Sequence, residues 1–216
     1  MAHTLSEYES KRVLREYGVP TVREALVPAA QDALAAAAEI GFPVALKLCG
    51  GAIAHKTERN LVRLNLVDEV AVEAAAQELL GRRRPQDGEV GLLVQAMVSG
   101  RREIIVGMVR DPQFGPCVML GLGGILAEAL RDVVFRMAPL NSAEGSDMIA
   151  ELKASHVLSA FRGEPPVDRE ALSQVLIGVG RLGLERPAVR SLDINPLIIA
   201  AGKPVAVDAL IEVAES

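Results

Sequence analysis

The sequence near the C-terminus predicts that two strands pair with each other as a hairpin. This prediction constrains the fold more strongly than any other feature of the sequence. Two apolar runs, AVRSLDINPLII (residues 188–199) and PVAVDALIEV (204–213), are separated by a short gap that contains Ala201 and Gly202. If these two residues form a hairpin turn, each residue before the turn faces the residue equally far after it. Asn195 then lies directly opposite Asp208, and this part of the chain is antiparallel sheet.

The predicted hairpin brings together oxygen-bearing side chains. Directly opposed Cβ atoms lie roughly 4.5–5.5 Å apart, so Asn195 and Asp208 could share one Mg²⁺ with phosphate oxygens and water. Asp193 precedes Asn195 by two residues and therefore projects from the same strand face. The alternative is that all three are solvated polar residues on an edge strand, a position that also suits Pro196.

Hydrophobic periodicity divides the rest of the chain into a mixture of strands and helices. Half of the residues are hydrophobic but only 3% are aromatic, so we expect a core of Leu, Ile, Val and Ala. The predicted strands cover residues 21–27, 43–49, 61–67, 90–98, 102–110, 116–122 and 135–140. The predicted helices cover residues 30–41, 123–133, 142–161 and 168–182, with two more ending near residues 17 and 81. This mixture, without strict alternation, indicates an α+β (α/β) fold.

Two local patterns add detail to this prediction. Thr4 and Glu7 have the Thr-x-x-Glu spacing of a capping box, which predicts that the first helix begins there. Alternation in residues 61–67 places Val62, Leu64 and Leu66 on one face of a strand.

The stretch GGAIAHKTERN, from Gly50 to Asn60, comes within one residue of the Gly-x4-Gly-Lys-Ser/Thr loop that binds phosphate. It fails that pattern because His55 replaces the second glycine, and because the residues after Thr57 alternate as a strand. Two interpretations stay open. His55 could donate to, or accept, a phosphoryl group, or the loop could present a solvated His55–Lys56 pair.

Charge and hydropathy exclude several other functions. The net charge is −5, and the one basic run, residues 82–84, is typical of a solvated helix end, so we expect no nucleic-acid partner. No apolar run reaches the length of a membrane span, and the N-terminus has no signal-peptide pattern. We therefore expect no membrane partner and a cytoplasmic location.

Several long motifs, in a fixed order, resemble one known family. They are LSEYESKRVLREYGVP, FPVALKL, AHKTE, LVQAMVSGRREIIVGMVRDPQFGP, GLGGILAEALRDVVFRMAPL, LDINPLII and AVDALI. Together they run nearly from end to end of the chain. The chain resembles the ATP-grasp β subunit, or domain, of ADP-forming acyl-CoA synthetases of the acetate–CoA ligase type, which are relatives of succinyl-CoA synthetase.

The resemblance implies an ATP-grasp fold, in which two α+β subdomains clasp the nucleotide. The whole chain, residues 1–216, would form this domain. A smaller nucleotide-lid subdomain would cover about residues 21–95, and residues 1–20 and 96–216 would form the remainder.

The resemblance also implies the residues that hold ATP or ADP. Lys47 would contact the phosphates, the backbone of Ala96, Met97 and Val98 would face adenine, and Glu103 would reach the ribose hydroxyls. Relatives often carry Glu where this chain has Ala96, so one side-chain contact to the nucleotide is absent here.

The same comparison assigns the metal and catalytic positions. Asn195 and Asp208 match Mg²⁺ ligands, in agreement with the predicted hairpin. Asp193 matches an acid near the transferring phosphate, and His55 matches the histidine of a His-Lys-Ser/Thr motif that handles the phosphoryl group.

The implied reaction is acid + CoA + ATP ⇌ acyl-CoA + ADP + phosphate, with an acyl phosphate and a phosphohistidine as intermediates. This chain would move phosphate between Mg-ATP and a phosphohistidine on a CoA-binding α subunit, which would also bind the acyl acid. Two alternatives are another ATP-grasp carboxylate ligase and an inactive nucleotide-binding regulatory subunit.

Overall fold

The computed structural model describes residues 2–53, 56, 58–124, 132–160 and 163–214. The chain divides into two compact units. The large unit comprises Met1–His3, Ser10–Thr21 and Val98–Ser216, and the small unit comprises Thr4–Glu9 and Val22–Met97.

The helices and strands follow one another in a mixed order. They are β1 Ala2–Thr4, α1 Glu7–Glu16, β2 Glu24–Val27, α2 Ala30–Ile40, β3 Val44–Cys49, β4 Val62–Leu66, α3 Glu69–Gly81, β5 Gly91–Ala96, β6 Glu103–Asp111, β7 Gly115–Leu122, β8 Val133–Met137, α4 Ser142–Glu151, α5 Arg169–Glu185, β9 Val189–Ala200, β10 Lys203–Ala206 and β11 Ala209–Ala214. The predicted α+β class with antiparallel sheet is confirmed.

The small unit is an antiparallel sheet that packs against two helices. Its strands lie in the order β2-β5-β3-β4. The buried faces of α2 and α3 meet Val44, Leu46 and Leu48 of β3 in one hydrophobic core. Since side chains alternate along a strand, Ala45 and Lys47 project from the opposite face of this sheet.

The alternation predicted for residues 61–67 is wrong. Leu66 is buried, but Leu64 is 61% exposed. The register of β4 against β3 shifts between Val44 and Leu46, and Asn65 adopts a positive φ of 58°. The extra residue in β4 is a β-bulge, which reverses the inward and outward order of the side chains.

The large unit contains a sheet in the order β1-β11-β9-β6-β7-β8, in which β10 also pairs with β9. β9 is an interior strand, because it pairs with β6 on one side and with β10 and β11 on the other. Helix α5 packs against β6 and β7 and against α4.

The capping box predicted at Thr4 and Glu7 is wrong by two residues. The hydroxyl and the amide of Ser6 both donate to Glu9 Oε2, at 2.6 and 2.9 Å, and the amide of Glu9 donates to Ser6 Oγ. The Thr4 hydroxyl instead donates to the carbonyl of Gly51 at 2.8 Å. The carboxylate of Glu7 is therefore not used in capping α1.

Most other predicted elements are confirmed; two differ from the prediction and one is not tested. The helix predicted for residues 142–161 ends at Glu151, because Leu152 leaves the helical conformation with a ψ of 124°. The strand predicted for residues 204–213 is two strands, β10 and β11. The helix predicted for residues 123–133 falls mostly on residues 125–131, which lie outside the described residues. In the described ranges, no helix is long and apolar enough to cross a membrane.

Candidate functional site

The C-terminal hairpin has the register that its sequence predicts. Lys203 pairs with Ala200, and Ala206 pairs with Leu197. The turn residues, Ala201 and Gly202, have φ values of 48° and 85°, and a tight hairpin turn with both central residues in the left-handed region matches the twist of the strands. The predicted two-residue turn is confirmed.

Asn195 lies opposite Asp208, also as predicted. The amide of Asn195 donates to the carbonyl of Asp208 at 3.3 Å, and the amide of Val207 donates to the carbonyl of Pro196 at 3.1 Å. Val207 and Asp208 form the break between β10 and β11, and β11 resumes the pairing with Ala209 opposite Ile194. These backbone hydrogen bonds hold Asp208 beside Asn195 of β9.

A bulge explains how a proline is accommodated in an interior strand. Ile104 pairs with Leu197, but Val106 pairs with Ile194, so Asn195 and Pro196 together face one residue of β6. Proline inside a sheet is tolerated at such bulges, and bulges can redirect a side chain next to a functional site. The edge-strand alternative for this segment is wrong.

Asp193 and Asn195 project from the exposed face of β9, while Leu192 and Ile194 are buried on the other face. The pKa of the Asp193 carboxyl is raised above its ordinary value, first by partial burial and second by the negative charge of Asp208. The two carboxylates therefore lie close enough to repel each other. A divalent cation is the kind of ligand that relieves such repulsion.

The side-chain oxygens of Asn195, Asp208 and Asp193 fit a cation that takes its other ligands from phosphate and water. In the part of the chain that the structure describes, no cluster of three or more His, Cys, Asp or Glu residues could hold a metal ion. Asn195 and Asp208, with Asp193 nearby, supply too few protein ligands for a closed site. They suit Mg²⁺, which commonly binds one or two carboxylates together with phosphate oxygens and water.

Glu103 begins β6 beside a pair of glycines that follow β7. The amide of Gly123 donates to the carbonyl of Glu103 at 2.7 Å. Gly124 has a φ of +61°, and a Cβ there would lie 3.2 Å from Glu103 Oε2. Gly124 therefore leaves room for the Glu103 carboxylate, and Gly123 allows close approach to the backbone of Glu103. Glu103 pairs with Ile198 and so lies on the strand next to β9.

Lys47 lies in β3 and is only 5% exposed. Its Nζ forms an ion pair with Glu7 Oε1 at 2.7 Å. Lys56 Nζ reaches the other oxygen of the same carboxylate, Glu7 Oε2, at 3.0 Å. Gln95 Nε2 also donates to Glu7 Oε1, at 2.9 Å. We call these four residues the Glu7 cluster.

Sequence reasoning missed Glu7 and Gln95 as members of a polar cluster. Gln95 stands out in hindsight, because it is a polar residue within the otherwise apolar strand GLLVQA and is only 1% exposed. A buried polar side chain needs partners, and Gln95 also donates to Glu24 Oε2 at 2.9 Å. Glu7 gave no such signal, because its position suited a capping box.

Two of the three predicted adenine-facing residues already use their amides within the small unit. The amide of Ala96 donates to the carbonyl of Arg23 at 2.9 Å, and that of Met97 donates to Pro43 at 3.3 Å. A base at this segment would therefore use carbonyl groups or the amide of Val98.

His55 and Thr57 lie outside the described residues, so the role of His55 stays a prediction. At the start of the same segment, a Cβ at Gly50 would lie 2.7 Å from the carbonyl of Glu89. Close packing of two backbones thus accounts for this glycine.

The predicted site residues fall in two groups. Lys47, Ala96 and Met97 belong to the small unit, and Val98, Glu103, Asp193, Asn195 and Asp208 belong to the large unit. Within the large unit, the strand register brings Asp193, Asn195 and Asp208 together.

Comparisons with known proteins agree on one family. Residues 1–213 match the family model described as an ATP-grasp domain. The chain is 39% identical over 208 residues to the β subunit of acetate–CoA ligase (ADP-forming) I of Pyrococcus furiosus, covering 95% of this chain and 90% of that subunit. It is 40% identical over 192 residues to acetate–CoA ligase (ADP-forming) I of Archaeoglobus fulgidus, of which it covers 28%.

The solved structures give the same result. One similar structure is the dinucleotide-forming acetyl-coenzyme A synthetase 1 of Ca. Korarchaeum cryptofilum, in complex with coenzyme A, Ca-AMPCP and HgCl⁺. It is 39% identical to this chain, and the two superpose with a TM-score of 0.91. The match covers 98% of this chain and 93% of that one. A second structure of that protein contains Mg-AMPPCP, with a phosphohistidine segment pointing towards the nucleotide-binding site; its TM-score is 0.85 at 39% identity, covering 97% of this chain and 92% of that one.

Proposed function

The chain belongs to the ATP-grasp family, in the group of β subunits and domains of ADP-forming acid–CoA ligases, and we propose that it transfers a phosphoryl group between Mg-ATP and a phosphohistidine on a CoA-binding partner. The observation that carries this proposal is the register of the C-terminal hairpin. It brings Asp193, Asn195 and Asp208 close to one another, and this proximity supports the proposal that their side-chain oxygens bind a metal ion.

Lys47, in β3, would donate to phosphate oxygens. The segment Ala96–Val98 would contact adenine through its backbone, and Glu103 would accept from ribose hydroxyls. Divalent-metal complexes of ATP analogues in the Korarchaeum protein support nucleotide and metal binding by this family.

Asn195 and Asp208 would hold the Mg²⁺, which neutralises phosphate charge when it is bound. Asp193 would lie near the transferring phosphoryl group, and His55 would donate to that group or relay it. In the forward half-reaction, the bond between the γ-phosphorus and its bridging oxygen breaks, ADP leaves, and a bond forms to an imidazole nitrogen of the partner. Positioning and charge compensation supply most of the catalysis in such transfers.

The acyl acid and CoA would bind to the partner. The name β subunit given to the Pyrococcus relatives implies a second subunit, and the fused Archaeoglobus enzyme is far longer than this chain. A hetero-oligomer with an α subunit that carries the phosphohistidine, and a cytoplasmic location, belong to this proposal.

The test uses γ-labelled ATP with the chain and a co-purified CoA-binding partner. We expect label on a partner histidine with the wild type. We expect a loss of at least about 100-fold in the transfer rate with Asp208→Ala, because a charge proposed to hold the metal ion at the transferring phosphate is removed. Asp147→Ala, an exposed acid on α4, serves as the control and should transfer at the wild-type rate.

Two results would contradict the proposal. Nucleotide binding without any labelling of a partner would favour a regulatory subunit. Label that passes directly to a carboxylate substrate, with no labelled histidine, would favour another ATP-grasp ligase.

A further inference from the structure

The Glu7 cluster joins two cationic side chains through a single carboxylate. Glu7 is 3% exposed and Lys47 is 5% exposed, and the side chain of Lys56 keeps 11% of its surface. The two ammonium groups contact different oxygens of Glu7, at 2.7 and 3.0 Å. Charges removed from water need a counter-charge, and Glu7 supplies one to both lysines.

The local structure holds Glu7 in this position. Glu7 is the first residue of α1, but Ser6 and Glu9 cap that helix, so the Glu7 carboxylate is available to the lysines. Gln95 Nε2 donates to the oxygen that faces Lys47. The register places Gln95 opposite Ala45 and Lys47 opposite Leu93, so Gln95 and Lys47 project from the same face of the sheet.

Carboxylate and phosphate oxygens both accept charge-assisted hydrogen bonds from an ammonium group. An arriving nucleotide would therefore meet Lys47 and Lys56 already engaged by Glu7. Phosphate oxygens could contact these ammonium groups only by replacing the carboxylate or by sharing them with it, and close approach of phosphate to Glu7 is repulsive.

We propose that Glu7 is an internal counter-ion that competes with the nucleotide phosphates for Lys47 and Lys56, and so sets the affinity of this chain for triphosphates. This inference rests on the proposed function in assigning Lys47 to phosphate binding. Glu7 acts through the lysines and is a positioning residue, without contact to the nucleotide itself.

The test compares Glu7→Gln with the wild type by calorimetry, using three probes: a non-hydrolysable ATP analogue, inorganic tripolyphosphate and adenosine. Removing the competing charge should tighten binding of the ATP analogue and tripolyphosphate by about tenfold, the effect expected of one charge-assisted contact. Adenosine has no phosphate, so its affinity should not change.

The matched control is Glu73→Gln, which removes one exposed carboxylate from α3 of the same unit and should change none of the three affinities. If Glu7→Gln does not fold, Glu7→Asp keeps the charge but shortens the side chain, and a smaller tightening for the two triphosphates is expected.

Weaker or unchanged triphosphate binding by the folded variant overturns the proposal, and so does an equal change for adenosine. If the wild type binds tripolyphosphate but no adenine nucleotide, the proposed function fails. The tripolyphosphate affinities of the wild type and Glu7→Gln then still decide the role of Glu7. Absence of tripolyphosphate binding in both forms overturns the role of Glu7 as well.

Discussion

Among single residues, Asp87 is a buried acid of the small unit whose carboxylate accepts several hydrogen bonds. It is 2% exposed, and its two carboxylate oxygens accept from Arg59 Nη1 and Nη2 at 2.8 and 2.9 Å. The amide of Arg84 donates to the same carboxylate at 2.8 Å. This paired geometry joins the end of the segment between β3 and β4 to the turn that precedes β5.

We expect Asp87→Asn to lower the Tm by about 5 °C, because one partner of a largely buried ion pair is lost and Arg59 keeps its charge. Thermal unfolding followed by circular dichroism measures this. Glu89→Gln, an exposed acid two residues further along, is the control and should leave the Tm unchanged. A Tm for Asp87→Asn equal to that of the control would contradict the prediction.

The same pair predicts a pH dependence. The hydrogen bonds from Arg59 lower the pKa of Asp87 from its ordinary value. A carboxyl whose pKa is lowered by folding stabilises the native state above its unfolded pKa, about 3.9, and loses that contribution as the pH falls below it. The Tm difference between wild type and Asp87→Asn should be largest at neutral pH and should shrink below about pH 4. A constant difference down to pH 3, measured in the same way, would contradict this.

Among the elements, α1 contacts the segment of chain that contains Asp208. Lys11 is fully buried, and its Nζ donates to the carbonyl of Val207 at 3.2 Å. The neighbouring Ser10 Oγ accepts from the amide of Ile211 at 3.1 Å. Two adjacent residues of one helix thus contact the chain on both sides of Asp208.

We expect Lys11→Met to destabilise the fold by about 1–3 kcal/mol, since the variant keeps the side-chain length but leaves a buried carbonyl without this donor. Displacement of Val207 should also move Asp208 and raise the Mg²⁺ concentration needed for binding of an ATP analogue. Denaturant unfolding and Mg²⁺ titrations measure the two effects. Lys153→Met, at an exposed lysine of the same unit, is the control, and equal unfolding midpoints for both variants would contradict the role of Lys11.

At the scale of the whole molecule, the chain spans 90% of a Pyrococcus β subunit but 28% of the Archaeoglobus ligase. We therefore expect the purified chain alone, with ATP, acetate and CoA, to form no acyl-CoA above background. Addition of the CoA-binding partner should restore formation of acyl-CoA, measured by chromatography. Formation of acyl-CoA by the chain alone would contradict the proposed division of the reaction between two subunits.

Local features of the fold were predictable wherever the residues of one short segment alone determine them. The Ala201–Gly202 turn determines which residues of the hairpin face each other, so the Asn195–Asp208 pairing followed from counting along the sequence. The alternation at residues 61–67 failed because the bulge at Asn65 arises from pairing with β3. Nothing in that stretch alone distinguishes a bulged strand from a regular one.

The sequence by itself determined the family, the α+β class and the pairing of Asn195 with Asp208 in the C-terminal hairpin, because ordered motifs and a two-residue turn are local properties. Only the tertiary structure decided the role of Glu7. Its partners, Lys47, Lys56 and Gln95, are distant in sequence and meet it through the pairing of β3 with β5 and the start of α1. Burial then makes their charges interdependent, since an ammonium group removed from water needs a carboxylate or a phosphate beside it.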